Sequence, residues 1–484
     1  MTTSPLRQRA LRSMGWALTG QVGQQAVRLA VTVTLARLLV PSDFGLVTMV
    51  GTVTSFAAVF TEAGVASALI QRKDVEDRHV SSAAWLTIVI AVGLAGVIAA
   101  CSPLFVQFFG HPVLQGLALG FAADVLVKAP GLVPAALLAR ELQFGRLVRA
   151  ELAGVVVGGA AAVVHAVLAP GPWPMVTFLL VTDGVTTVLL LILRRHPVVL
   201  RPDRAALSDL WSYTSGLMGY TAFNYWSRNA DNVLIGRFVG SAALGVYSRA
   251  YVILLIPVQQ VAAIVNRVMF PAMSSVQDDA ARVRHAYLRT ISVVGVLVFP
   301  LTALLAVASH EVVIGVLGPE WHAAVPVLRV FAVIAAIQSI GTTTGWLYQV
   351  TGDTRRMFRV TVGLTVLVLI AFSIGVPFGL MGVAWSYLAW NAVSLTANVV
   401  EGGRGIQLGL GPVLSAVAAP FLLSAVTAGV LLGVRWVLPG IPDLLALAVL
   451  AVSGAVVYAA LLAGVRPQAS RELRQALADV RSTG

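Results

Sequence analysis

MGWALTGQVGQQAVRLAVTVTLARLL, residues 14–39, and LMGYTAFNYWSRNADNVLIGRFV, residues 217–239, are apolar stretches that each carry an interior arginine, Arg28 and Arg228. Without a gap they superimpose at an offset of 200 positions. Arg28 falls on Arg228, Ala30 on Ala230, Val33 on Val233, Arg37 on Arg237 and, just beyond, Gly45 on Gly245. An arginine at membrane depth costs about 2.5–3.5 kcal/mol on insertion scales. Its duplication predicts an internal two-fold with a charged cavity where the halves meet, the pattern of a transporter for something anionic.

The composition agrees. Hydrophobic residues make up 58 % of the 484 residues and charged ones 11 %, against about 25 % charged in a soluble domain. Mean hydropathy is +0.87. The formal charge of +12 does not point to nucleic acid, because the basic residues lie in alternate loops rather than in one patch or stripe. Cys101 is the only cysteine, so neither a disulfide nor a cysteine-based metal cluster is expected. The basic start (Arg7, Arg9, Arg12) resembles a signal peptide. Its apolar run is too long, however, and ends without a small-residue cleavage pattern, so it reads as a first span that stays.

A span needs about 20 mainly apolar residues, and about fourteen such windows are present. They lie near 14–37, 44–67, 82–102, 113–138, 148–169, 174–193, 208–236, 243–268, 289–308, 325–350, 358–376, 379–400, 413–433 and 443–464. With the N-terminus cytoplasmic, the inner loops hold Arg72, Lys73, Arg78, Arg140, Arg146, Arg149, Arg355, Arg356 and Arg359, among others. The outer edges hold only Arg37, Arg237 and Arg435. That asymmetry fits an even number of spans with both termini inside. The expected fold is an all-α polytopic membrane protein. Residues 1–200 form an N-lobe of spans 1–6, 201–402 a C-lobe of spans 7–12, and 403–484 spans 13–14 with a cytoplasmic tail. Six spans is an even number, so the two repeats are parallel. The segments Pro271–Arg289 and Arg466–Val480 read as amphipathic surface helices.

Intramembrane charges mark the candidate site. Arg28, Arg228, Lys128, Arg249 and Arg329 are candidates for binding an anionic substrate. The planar guanidinium donates bidentate hydrogen bonds to phosphate oxygens and stays charged. Glu62, Asp124 and Asp231 are candidates for ion coupling, whereas Asp183 is better explained by helix–helix bonding. Asp124 and Lys128 have ion-pair spacing, as do Arg228 and Asp231. The alternative reading of each pair is a helix staple, and Arg249 and Arg329 could snorkel to the interface. Gln24, Gln25, Asn224, Asn266, Asn391 and Asn398 more often join helices than bind sugar. Tyr213, Tyr220, Tyr225 and Trp226 could stack on sugars or simply pack. The seven histidines show no ligand spacing, and no Walker A sequence or nucleophile elbow is present. No catalytic residue, metal or cofactor is expected.

A set of motifs then resembles one family. They are Pro41-Ser42-Asp43-Phe44-Gly45-Leu46, Ala68-Leu69-Ile70-Gln71-Arg72-Lys73-Asp74, the run from Arg228 to Arg237, Leu244-Gly245-Val246-Tyr247-Ser248, Phe270-Pro271-Ala272-Met273 and Gly318-Pro319-Glu320-Trp321. In this order they resemble the polysaccharide-transport (Wzx-type) oligosaccharide flippases of the MOP superfamily, near the colanic-acid and teichuronic-acid exporters. The resemblance covers roughly 10–400; spans 13–14 match by hydropathy only, and Glu62 stands where an Asp is expected. It implies a V-shaped pair of six-helix bundles around a cationic cavity. It also implies alternating-access transfer of undecaprenyl-pyrophosphate-linked oligosaccharide from the inner to the outer leaflet of a bacterial plasma membrane. Expected partners are that lipid-linked substrate, membrane lipids and the glycan polymerase and glycosyltransferases of the same assembly line; H+ or Na+ is the candidate coupling ion. The rivals are a cation-coupled drug exporter of the same superfamily, a membrane glycan ligase or polymerase, and a scaffold for synthesis enzymes.

The charge asymmetry is directly testable. Reporter fusions after Gly110, Gly171 and Gly440 are expected to report the outside, and fusions after Asp77 and Arg356 the inside. Inversion at any of these sites contradicts the span count.

Overall fold

The structure, a computed structural model, describes residues 5–62, 69, 76–194, 225–226, 229–274, 277 and 279–465; residues 5–19, 57–62, 256–257, 260, 262–268, 270–272, 274 and 354 of these are described by backbone alone. All regular structure among the described residues is helical. The main helices are α1 (Pro5–Leu38), α2 (Pro41–Glu62), α3 (Asp77–Phe109), α4 (Val113–Arg140), α5 (Phe144–Leu168), α6 (Trp173–Leu193), α7 (Ser241–Ser274), α8 (Ala280–Val307), α9 (Ala324–Gly341), α10 (Thr344–Val350), α11 (Thr354–Gly375), α12 (Gly379–Gly403), α13 (Leu410–Trp436) and α14 (Asp443–Val465). Nine helical segments among the described residues are long and apolar enough to cross a bilayer. Helix is the only open-chain form that satisfies each backbone N–H and C=O within one segment in hydrocarbon. Expected span 7 (208–236) lies largely outside the described residues; 229–238 is helical. The tail from Arg466 lies wholly outside them. Of the expected surface segment Pro271–Arg289, the part from Ala280 onward is the start of α8.

Size, not polarity, separates the two faces along much of α3. On α3, Ala83, Ala84, Ala91 and Ala95 are buried while Val89, Val92, Val97 and Leu104 are exposed. Lipid is as apolar as valine, so association gains little from burying bulk. It gains from close backbone approach, which small residues permit. The helix stops at Gly110, whose φ of +81° is a left-handed conformation with its N–H bonded to Val106 O, a common C-terminal cap.

The chain divides into two compact units, Met1–Gly245 and Val246–Gly484. In the first, α5 lies against α6 through small residues. A Cβ at Gly154 would meet Thr186 and the Thr182 carbonyl, and one at Gly158 would meet the Thr182 side chain. On the far side of α6, Gly131 of α4 abuts Thr187. This glycine-xxx-glycine spacing with hydroxyls opposite is a common membrane contact.

The repeat seen in the sequence reappears as a contact inside this first unit. A Cβ added to Gly45 would fall on the Ser241 carbonyl, and one added to Gly245 would fall on the Pro41 carbonyl. Residues 41 and 241 are the same repeat position, as are 45 and 245. The first turn of α2 therefore crosses the first turn of α7, its own copy, with each glycine seated on the other's opening carbonyl. Nearby, Tyr225 donates its hydroxyl to Thr52 O at 2.6 Å, and Phe56 lies 5.7 and 5.2 Å from the Tyr225 and Trp226 rings. Those two aromatics pack on α2; Tyr213 and Tyr220 lie outside the described residues.

The second unit is built around α8. Tyr287, Ile291, Val294 and Val298 are buried against Trp346, Leu347, Val399 and Val413. The Thr343 hydroxyl lies 3.3 Å from the Tyr287 hydroxyl. α13 and α14 form a separate cluster with the end of α8, where Leu431 and Leu450 pack with Val307 and Ala308. Arg435 closes the contact. Its Nε sits 2.7 Å from Glu311 Oε1, on a carboxylate only 7 % exposed, and its Nη1 donates to Val307 O at 3.2 Å. His310 Nε2 and Asp443 Oδ1, 3.7 Å apart, add a second tie at the start of α14.

Gly45→Ala is expected to lower the melting temperature of the detergent-purified protein. The cost is about 1–3 kcal/mol, typical of overpacking. Gly93→Ala, where an added Cβ meets nothing within 4 Å, is expected to leave it unchanged or raise it, by up to about 1 kcal/mol of helix propensity. Equal melting temperatures for the two variants would contradict the crossing.

Candidate functional site

Within the first unit, α1, α4, α5 and α6 surround a cavity of about 220 Å³. Gln24 and Arg28 line it from α1, Lys128 from α4, Glu151 from α5, and Thr182, Asp183 and Thr186 from α6. The cavity lies toward the basic helix ends, where α4 closes at Arg140 and α5 opens beside Arg146 and Arg149. Helices of opposite direction bring these residues together, although 159 positions separate Gln24 from Asp183.

The charges are arranged in two sets. Lys128 Nζ lies 3.8 Å from Asp183 Oδ2, joining α4 to α6. Gln24 Nε2 donates to Glu151 Oε2 at 2.6 Å, joining α1 to α5. Arg28 extends over the Phe178 ring, 5.9 Å from its centroid, a cation–π distance. Among the described lining residues two cations accompany two carboxylates, and their formal charges cancel. The cavity can present a guanidinium and an ammonium to an anion, but each cation shares the space with an acid.

Several expected residues meet here and others do not. Arg28 and Lys128 line the cavity together. Lys128 and Asp124 have ion-pair spacing along α4, yet Lys128 reaches across to Asp183; Asp124 is buried and is not among the lining residues. The reading of Asp183 as a helix-joining acid, and of Gln24 as a helix-joining amide, matches their bonds. Asp231 is buried, with its Oδ1 accepting from the Asn232 N–H at 2.9 Å. Arg228 lies outside the described residues, and so does the Glu62 side chain at the end of α2. Arg249 on α7 and Arg329 on α9 belong to the second unit; Arg329 Nε donates to Ser309 Oγ at 3.0 Å, at the end of α8. Glu151 is the lining residue the sequence reading missed. It stands next to Arg149 at the expected edge of a span, where an acid looks solvated. In α5 Glu151 is turned inward, where it accepts from the Gln24 amide of α1.

The family described as polysaccharide biosynthesis protein matches residues 34–326. The lipopolysaccharide biosynthesis protein WzxC of Escherichia coli (strain K12) is 26 % identical over 388 residues, 79 % of this chain and 78 % of that protein. The teichuronic acid biosynthesis protein TuaB of Bacillus subtilis (strain 168) is 27 % identical over 430 residues, 87 % of this chain and 88 % of that protein. Among solved structures, the lipid II flippase MurJ in an inward closed conformation superimposes with a TM-score of 0.71 at 12 % identity, covering 92 % of this chain and 97 % of that one. At that identity the likeness is one of fold, and it agrees with the expected polytopic helical architecture.

Removing one partner of the cross-helix pair leaves the other charge inside the bundle. Lys128→Met is expected to destabilise the protein by a few kcal/mol, at or below the about 3–5 kcal/mol seen for fully buried pairs, since the lysine side chain here is 40 % exposed. Adding Asp183→Asn is expected to recover most of the loss. Additive losses in thermal unfolding of the double variant would show that the two residues do not interact.

Proposed function

Because the chain belongs to the polysaccharide biosynthesis protein family, whose description matches residues 34–326, we propose that it carries an undecaprenyl-pyrophosphate-linked oligosaccharide from the inner to the outer leaflet. The observation that carries the reading is an arginine and a lysine lining one cavity inside a membrane bundle of that family. A pyrophosphate entering a low-dielectric bundle needs counter-charge, and Arg28 and Lys128 supply it. Arg228, the repeat partner of Arg28, is the corresponding candidate in the second copy. The transfer makes and breaks no covalent bond. The work is done by alternating access in the bacterial plasma membrane, with both termini cytoplasmic and with H+ or Na+ as the driving ion. The product feeds exopolysaccharide or cell-wall glycan assembly, which places a glycan polymerase and glycosyltransferases nearby. Glu151 and Asp183 in the same cavity support a second reading, a cation-coupled exporter of cationic compounds, since carboxylates are what such cargo needs.

In proteoliposomes carrying lipid-linked oligosaccharide, Arg28→Ala and Arg228→Ala are each expected to cripple translocation per folded molecule. Lysine at either position is expected to rescue only in part, because it keeps the charge and loses the bidentate fork. Hydrogen bonds to charged groups are worth about 1.5–3 kcal/mol, roughly 10- to 150-fold in affinity. Full activity per folded molecule in both alanine variants would reduce the arginines to helix staples. Drug efflux without lipid translocation would favour the second reading.

A further inference from the structure

Two helices, one in each unit, carry arginines that face away from their own bundle. α5 has Arg146 and Arg149, and α11 has Arg355, Arg356 and Arg359. At an offset of 210 positions Arg146 falls on Arg356 and Arg149 on Arg359. The exposed apolar residues that follow keep the same offset: Val156 with Val366, Val157 with Leu367 and Val164 with Ile374. The same combination of cation and exposed apolar face therefore occurs twice.

On each helix the arginine and the apolar residues share a side. Arg149, Val156 and Val164 stand at i, i+7 and i+15, as do Arg359, Val366 and Ile374, and these spacings return to one side of an α-helix. The opposite side faces the bundle. On α5 it holds Glu151, bonded to Gln24, with Gly154 and Gly158 against α6. On α11 it holds the buried Val368 and Phe372.

Ion pairing follows the same division. Arg356 is turned toward Asp353 at 3.3 Å and toward Glu401 of α12 at 3.9 Å, and Glu401 also holds Arg404 at 2.7 Å. Glu141, just before α5, is taken by Arg194 at 2.8 Å. Arg146, Arg149, Arg355 and Arg359 are exposed, and none of the four makes an ion pair among the described residues. Arg149 donates its Nε to Gly145 O at 2.9 Å, which leaves its two terminal nitrogens for another acceptor. The local acids are thus spent on the inward arginines, and the outward ones need counter-charge from outside the chain.

The neighbouring apolar face says what brings it. At 1.5 Å per residue, Val156 and Val366 lie about 10 Å along the helix from Arg149 and Arg359. A phosphate gripped by the guanidiniums would lay an attached hydrocarbon chain on that face, whereas a soluble anion would leave the face unused. We propose that each repeat carries a site for an anionic phospholipid, with Arg146 and Arg149 holding the head on α5 and Arg355 and Arg359 holding it on α11. Phosphatidylglycerol has the required chemistry, one phosphodiester charge and two acyl chains. Occurrence in both repeats favours an abundant bilayer lipid over a single cargo molecule. The cytoplasmic leaflet, where these arginine-rich ends are expected to lie, is the one with the negative surface potential. The sites do not depend on the identity of the cargo.

The test uses the full chain, delipidated in detergent and then supplied with phosphatidylglycerol or phosphatidylcholine of identical chains. Native mass spectrometry counts the lipid retained. The wild type is expected to keep one phosphatidylglycerol per repeat under conditions that strip phosphatidylcholine. Arg146→Gln with Arg149→Gln is expected to lose one of these lipids, and Arg355→Gln with Arg359→Gln the other. Each arginine removed is expected to weaken binding about fivefold, the equivalent of about 1 kcal/mol per basic residue at an anionic surface. Lysine at the same positions is expected to keep most of the retention, which separates lost charge from a misfolded helix. Glycerophosphoglycerol, the same head without chains, is expected not to displace the lipid. Equal retention of the two phospholipids, unchanged retention in either glutamine pair, or displacement by glycerophosphoglycerol at matched concentration would each overturn the proposal. Displacement of both lipids by undecaprenyl pyrophosphate at matched concentration would also overturn it, and would make these arginines a docking point for cargo.

Discussion

An ionised side chain inside a bilayer must be answered by another helix, because the hydrocarbon offers it nothing. That constraint organises the first unit. Lys128 is answered by Asp183 across α4 and α6, and Glu151 by Gln24 across α5 and α1. Each bond links helices that lipid alone would not press together, and the four helices so linked enclose the cavity. In the second unit the same logic acts at an edge, where Arg435 and a buried Glu311 hold α13 to the end of α8. Polar contacts of this kind are modest individually in membranes. Their effect here is positional: they decide which helices are neighbours, and small residues then decide how close they come.

The fold was largely legible because its determinants are local. A run of about 20 apolar residues can do little but span, and helices begin and end near where such runs meet Pro41, Gly110, Pro172 and Gly440. Arg28 was legible for a similar reason, since one guanidinium in an apolar run stands out without any knowledge of its neighbours. Partners were less legible. Spacing along α4 pairs Lys128 with Asp124, but the ammonium goes to Asp183, a choice made by the packing of α4 on α6. Glu151 was hidden by its company, since beside Arg146 and Arg149 an acid reads as part of a hydrated loop. The packing of α5 on α1 turns it inward, to the Gln24 amide.

The charge balance of the cavity alters how an arginine in a membrane should be read. Alone, Arg28 suggests a positive site waiting for an anion. In place, it is one of four ionisable groups among the described lining residues, two of each sign, with Phe178 beneath its guanidinium. Carboxylates beside the cations make the cations cheaper to keep in hydrocarbon and weaken their pull on every passing anion. Selectivity then lies in what can reorganise the pairs rather than in raw charge.

The crossing of Gly45 with Gly245 ties the two repeats to a common fate. Gly45 rests on the carbonyl of Ser241, and Gly245 on that of Pro41. A methyl group gained at either position intrudes on the carbonyl that faces it. The two matching turns thus hold each other to glycine, a mutual steric obligation.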